Sequence, residues 1–139
     1  MSRTWVPARL RAEVQRRAGG RCEYCGVPNG AGMWPHEADH IVAAQHGGKT
    51  ELANLAFACW HCNRYKGPNV ASTDAQTGRV VPLFNPRLHL WGEHFEANGP
   101  TIDPKTDIGR LTASLLRFNL PERILVRQAL RQAGRWPER

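Results

Sequence analysis

The chain has 139 residues, 41% of them hydrophobic and 22% charged, which suits one small core with extensions and argues against a disordered chain. No stretch approaches the ~18 apolar residues of a membrane-crossing helix. The opening Ser2-Arg3-Thr4-Trp5 runs into charge rather than an apolar leader, so the expectation is a cytoplasmic protein with no membrane partner. The formal net charge is +7 and sits at the two ends: residues 1–21 hold six Arg and one Glu, and residues 106–139 hold seven Arg and three acids. Guanidinium-rich ends suit a polyanionic partner, against the plainer reading of a solvated basic face.

In chain order, Pro7 and Gly19-Gly20 bracket a helix over 7–18, with Leu10, Val14 and Ala18 as its apolar stripe. Residues 21–66 hold all four cysteines and four of the six histidines, broken by Gly30, Gly32 and Gly47-Gly48. The spacing predicts strands over 33–42 and around 54–58, joined by a long loop, then a short helix from Cys59 to Lys66 stopped by Gly67-Pro68. Residues 69–77 read as linker. Val80-Val81 and Leu83-Phe84 read as a short edge element, and 91–102 as a second hairpin turning at Asn98-Gly99-Pro100. A helix capped by Thr106 or Asp107 runs to Phe118, and a last helix over 121–133 buries Leu125, Val126, Ala129 and Leu130. The whole, 1–139, is expected to be a single domain: an Arg-rich helix (1–20), a core (21–67) and a C-terminal extension (68–139).

The cysteines form two knuckles, Cys22-Glu23-Tyr24-Cys25 and Cys59-Trp60-His61-Cys62. Two residues between cysteines let both sulfurs turn toward one ion. Four thiolates make a closed tetrahedral site, so the zinc they hold is structural. The long gap between knuckles means that residues 26–58 are inserted between the halves of the site. Tyr24 and Trp60 are expected to pack around the metal, and Phe84, Trp91 and Phe95 to belong to the core.

The insert and the helix after it hold Asp39-His40, Asn54 and Asn63. Strand alternation sends Asp39 and His40 different ways unless the strand bends, so one can meet a cation while the other faces a neighbouring atom. Asp and Asn oxygens suit a hard divalent ion, Mg²⁺ or Mn²⁺. An imidazole can take a proton from water near neutral pH. With the Arg-rich ends, this combination suggests phosphodiester hydrolysis. Arg64 and Lys66 on the short helix, His46 in the glycine loop, and Arg16 and Arg17 on the first helix are candidate nucleic-acid contacts, against simple solvent exposure. His36 is expected to be structural, and His61 to be a half-exposed helix residue or a further ligand.

The string Cys22-x-x-Cys25-Gly26, Asp39-His40-Ile41, Gly47-Gly48, Asn54-Leu55, Cys59-x-x-Cys62-Asn63, Lys66-Gly67 resembles the HNH endonuclease motif in its zinc-stabilised, ββα-metal form. The resemblance implies an α+β fold with a ββα-metal (HNH) core, a structural four-cysteine zinc site, an N-terminal helix, and a C-terminal hairpin and helices. It implies that His40 is the general base, that Asp39 is a metal ligand, that Asn54 holds the hairpin loop and that Asn63 completes the catalytic metal site. The last position is Asn rather than His, which is the H-N-N variant. Ala43 stands where many members have Pro. Residues 78–118, with Leu83-Phe84-Asn85-Pro86-Arg87 and Trp91-x-x-His94-Phe95, are similar to the tail of small stand-alone bacterial HNH proteins.

The function implied is metal-dependent hydrolysis of DNA, double-stranded DNA being the first expectation, leaving 5′-phosphate and 3′-hydroxyl ends. Asp39 and Asn63 hold one divalent ion at the scissile phosphate while His40 takes a proton from water. The competing readings are a zinc-containing DNA-binding module without catalysis and an RNA-cleaving nuclease. The pattern leaves the oligomeric state open.

Overall fold

Two sequence-distant cysteine pairs meet in one buried cluster, which holds the ends of their insert together, and the architecture is arranged around that junction. A computed structural model describes residues 5–137; Arg3 of the basic N-terminal segment, with the rest of 1–4 and 138–139, lies outside them. The described residues form helices and three two-stranded antiparallel sheets, an α+β arrangement.

Helix α1 (Ala8–Arg17) follows Pro7, and Gly19 and Gly20, at φ 64° and 73°, turn the chain out of it. Strand β1 (Glu37–His40) pairs with β2 (Leu55–Ala58), with Asp39 opposite Ala56 and His40 opposite Leu55. The strand expected over 33–42 is shorter because Pro35 has no N–H to donate, and Met33 and Trp34 stand exposed ahead of it. All four residues of β2 are buried, and its alternation serves two cores. Leu55 and Phe57 meet Val6 and Val14, with Leu10 and Ala18 packed alongside, so the apolar stripe of α1 is used as expected. Ala56 and Ala58 join the larger cluster, in which the four cysteines pack with Phe95, Phe118 and Trp136. Helix α2 (Trp60–Lys66) starts where Cys59 Sγ accepts the Cys62 N–H and stops at Gly67, φ 52°.

Downstream the expectations need correction. Residues 69–77 are not simply a linker: β3 (Ala71–Thr73) pairs with β4 (Val80–Pro82). The turn between them is held by buried Asp74, which accepts the Gln76 N–H (2.9 Å) and the Arg110 guanidinium (2.7 Å), contacts that no local pattern announces. The second hairpin begins later than expected. Trp91–His94 form a short helix, α3, and β5 (Phe95–Asn98) and β6 (Thr101–Pro104) make the ladder. Helix α4 (Asp107–Leu115), capped by the Thr106 hydroxyl, lies so close to α3 that a Cβ on Gly109 would sit 2.1 Å from the His94 carbonyl oxygen. Among the described residues no helix is long and apolar enough to cross a membrane.

The largest correction concerns α5 (Pro121–Gln132). Of the residues expected inside, only Leu130 is buried; Leu125 is 70% and Val126 40% exposed, and Ala129 is exposed. The helix instead buries Arg123 and Arg127. Arg123 donates to the carbonyls of Leu116 (2.6 Å) and Arg117 (3.0 Å), and to Cys62 Sγ (3.1 Å) and Cys59 Sγ (3.7 Å). Arg127 donates to the Pro100 carbonyl (2.6 Å) and to Asn119 Oδ1 (3.0 Å). Anionic sulfur on the inner side selects guanidinium over Leu, and apolar periodicity alone points the helix the wrong way.

Arg123→Met should therefore lose roughly 3 kcal/mol, because buried thiolates are left without their cation, and melt roughly 10 °C lower. Leu125→Ser should stay within about 0.5 kcal/mol. Thermal melts of the two variants check this, and equal effects would contradict the assigned orientation of α5.

Candidate functional site

The four cysteines are buried, and their Sγ atoms lie within 4.8 Å of one another, with Cys25 and Cys59 3.7 Å apart. Tetrahedral coordination with Zn–S of about 2.3 Å spaces sulfurs about 3.8 Å apart, so the cluster fits zinc. Backbone N–H groups of Tyr24 and Cys25 point at Cys22 Sγ, and that of Cys62 points at Cys59 Sγ, each at 3.4 Å. This is the donor pattern that favours thiolate. Burial pushes the Cys22 and Cys62 thiols up, while hydrogen bonds from the other sulfurs pull Cys25 down. Burial opposes the charge on Arg123, but the sulfurs of Cys62, Cys25 and Cys59 outweigh it and hold its pKa above the usual arginine range. Burial brings Arg127 down to about 10. Two indoles close the first knuckle, Trp91 donating to the Tyr24 carbonyl (2.8 Å) and Trp136 to that of Cys25 (3.1 Å). Among the described residues, this is the one group of three or more Cys, His, Asp or Glu placed to hold a metal.

Strand β1 divides its side chains between two faces. Glu37 and Asp39 both reach α2: Asn63 Nδ2 donates to Glu37 Oε2 (3.0 Å), and Lys66 Nζ lies 3.9 Å from Asp39 Oδ2. His40 points elsewhere, its Nε2 2.8 Å from the Thr50 hydroxyl. The structure thus brings Asp39, Glu37 and Asn63 to one face, with His40 at the strand end beside them. Burial holds His40 below the ordinary histidine pKa, which favours the neutral ring. Its Nδ1 has no hydrogen bond to a described residue. Glu37 and Thr50 were missed from sequence; the alternation Glu37-x-Asp39 carried a signal for the first, and nothing local did for the second.

The loop from β1 to β2 is held by Asn54. Its Oδ1 accepts the Val42 N–H (2.9 Å), and its Nδ2 donates to the carbonyls of Val42 (3.0 Å) and Lys49 (2.9 Å). Gly48 is required there, since a Cβ would fall 1.7 Å from the Val42 carbonyl oxygen. The Asn54 side chain bonds the loop backbone rather than His40, so its place is in shaping the loop that carries Thr50.

The nucleic-acid candidates separate by whether their charge is taken up by internal hydrogen bonds. Lys66 is 2% exposed and donates to the Ile41 carbonyl (3.0 Å); burial lowers its pKa while Asp39 opposes that shift. It is a structural cation rather than a phosphate contact, because its ammonium is taken up by the Ile41 carbonyl and lies beside Asp39. Arg17 is likewise engaged, donating to the carbonyls of Leu52 (2.8 Å) and Leu55 and so tying α1 to β2. Arg16, Arg64 and His46 are exposed. Much of the C-terminal charge also works internally: Arg110 pairs with Asp74 and Asp107, and Arg117 lies 4.7 Å over the Tyr65 ring.

Lys66→Met should cost about 2 kcal/mol by removing the donor to the Ile41 carbonyl and the cation beside the Asp39 carboxylate. Asn54→Ala should cost a similar amount through three lost loop bonds. Denaturant unfolding of both variants checks this, and a Lys66→Met midpoint equal to that of the parent would contradict the buried role.

Residues 22–69, about a third of the chain, match the family model described as HNH endonuclease. No curated protein and no solved structure matches the chain. The matched segment begins at the first knuckle cysteine and ends just past α2, so it takes in both knuckles, β1, β2 and the face they form with α2. Residues 22–69 are thus similar to an HNH endonuclease domain, and the two knuckles within them meet at a four-cysteine cluster suited to zinc.

Proposed function

We propose that the protein is a metal-dependent endonuclease that hydrolyses phosphodiester bonds in DNA, with β1, β2 and α2 as a ββα-metal core. The observation that carries the reading is the division of β1: a carboxylate face met by Asn63, with an imidazole beside it on the other side of the strand. A DNA-binding module needs neither half of that arrangement.

Asp39 and Asn63, with Glu37 as a further oxygen on the same face, would hold Mg²⁺ or Mn²⁺; an all-oxygen set of carboxylates and an amide suits a hard cation better than zinc. Bound there, the ion supplies charge stabilisation to the scissile phosphate and the leaving 3′ oxygen. His40 accepts the proton of the attacking water at Nδ1 while its Nε2–H donates to Thr50. The hydroxyl thus fixes the ring and its tautomer. Asn54 and Gly48 hold the loop in the conformation that presents Thr50. Lys66 keeps Asp39 in place from within the core. The exposed cations Arg64 and Arg16, with His46, meet phosphates, which makes binding fall steeply with salt. Contacts from α1 and α5 to this core support reading 1–139 as one folding unit.

Supercoiled plasmid incubated with the chain and Mg²⁺ or Mn²⁺ should be nicked, and His40→Ala should slow nicking at least 100-fold with an unchanged melting temperature. Absence of nicking, or nicking unchanged by His40→Ala, would leave a zinc-containing binding module. RNA in the same assay tests the substrate. Arg64→Ala should reduce the slope of log binding constant against log salt by about one.

A further inference from the structure

Beside the candidate hydrolytic face lies a cavity of about 290 Å³ that none of the roles above uses. It sits between the segment ahead of β1 and the first turn of α2, with Met33, Trp34, His36, Trp60, His61 and Arg123 among its walls. Trp34 is 55% and Met33 87% exposed. A single apolar side chain in water is ordinary, but two adjacent ones at the rim of an apolar cavity mark a binding surface.

The planar groups here are ordered. The Trp34 and Trp60 rings are stacked, with centroids 6.5 Å apart and planes 24° from parallel, and the Arg64 guanidinium carbon lies 4.9 Å from the Trp60 ring. Aromatic faces with an adjacent guanidinium are the groups on which unpaired bases stack; a base within a duplex has both faces covered by its neighbours. The wall is not purely apolar. His36, His61 and Arg123 add polar side chains to its lining. The volume lies at the small end of ligand sites, as one base requires.

The cavity shares helix α2 with the candidate site: Asn63, which donates to Glu37, is one helical turn from Trp60 in the cavity wall. A strand whose phosphate lies on the Asp39–Asn63 face brings a neighbouring nucleotide to the cavity mouth, where exposed Arg64 complements its phosphate.

The geometry points to a stacking site for one unpaired nucleobase next to the scissile phosphate, making single-stranded or locally unpaired nucleic acid the substrate class. This rests on the phosphodiesterase reading above.

The test compares the full chain with Trp34→Ala and Trp34→Phe, all in a His40→Ala background that leaves the cavity intact. Binding is read by anisotropy on a labelled single-stranded DNA and on a blunt duplex of the same length. Trp34→Ala should weaken single-strand binding about tenfold or more and change duplex binding by less than about twofold, and Trp34→Phe should restore most of the loss. Equal losses on both substrates, or none, would overturn the site. A Trp34→Ala variant that changes only the oligomeric state, by sedimentation, would also overturn it, because the exposed pair then covers a second copy of the chain. The outcome is separable from the hydrolase reading. Nicking by the parent without a Trp34-dependent single-strand effect removes the base site alone. A Trp34-dependent effect without any nicking removes the hydrolase and leaves the base site. Failure of both removes both.

Discussion

Four buried sulfur atoms fix the start and the end of residues 26–58 to one point, and most other contacts follow from that junction. The first knuckle is laid against β2 by Glu23, whose backbone N–H donates to the Phe57 carbonyl and whose carboxylate accepts the Phe57 N–H, each at 2.8 Å. Arg87 then bonds both Glu23 and the Leu55 carbonyl. The second knuckle opens α2. The sulfur junction thus lies at the start of α2, the helix that brings Asn63 to the Glu37 carboxylate of β1. The C-terminal extension completes the shell, with Arg123 facing the sulfurs and Trp136 capping the first knuckle. The Arg123 guanidinium beside the four sulfurs offsets negative charge there that an apolar core could not accept.

A four-residue strand is a compact way to keep an acid-bearing face and a base apart. Consecutive side chains point to opposite sides, so Asp39 and His40 are neighbours in sequence but face different surroundings. One face receives α2 with an amide and a buried ammonium; the other receives the Thr50 hydroxyl. A one-residue slip in the pairing of β1 with β2 would exchange the two faces. The all-buried β2, gripped from one side by the stripe of α1 and from the other by the cysteine cluster, prevents that slip.

The sequence made the core legible where a residue's chemistry admits few uses. Paired knuckles, the Asp-His step, Asn54 and the glycine stop after Lys66 all announced their elements. It was silent or misleading where long-range charge decides. Helix α5 reads as amphipathic through Leu125 and Val126, yet it turns Arg123 inward to the sulfurs of Cys59 and Cys62 and Arg127 inward to the Pro100 carbonyl and Asn119. Lys66 reads as a phosphate contact from its place on a short basic helix, but the carbonyl of Ile41 and the carboxylate of Asp39 draw it inside. β3 was missed because Ala71-Ser72-Thr73 is short and polar, and its pairing is secured by a buried Asp74–Arg110 contact. Glu37 was half visible, two residues before Asp39 and so on the same face, and its partner on α2 appears only once the chain is folded.

The most direct test of the sulfur junction is the metal content of the purified chain, followed by circular dichroism in the aromatic region during removal of the metal with a strong chelator. One zinc per chain, with loss of the aromatic signal of Trp91 and Trp136 as zinc leaves, is the expected result. A metal-free chain that keeps its aromatic signal and melts at the same temperature would contradict it.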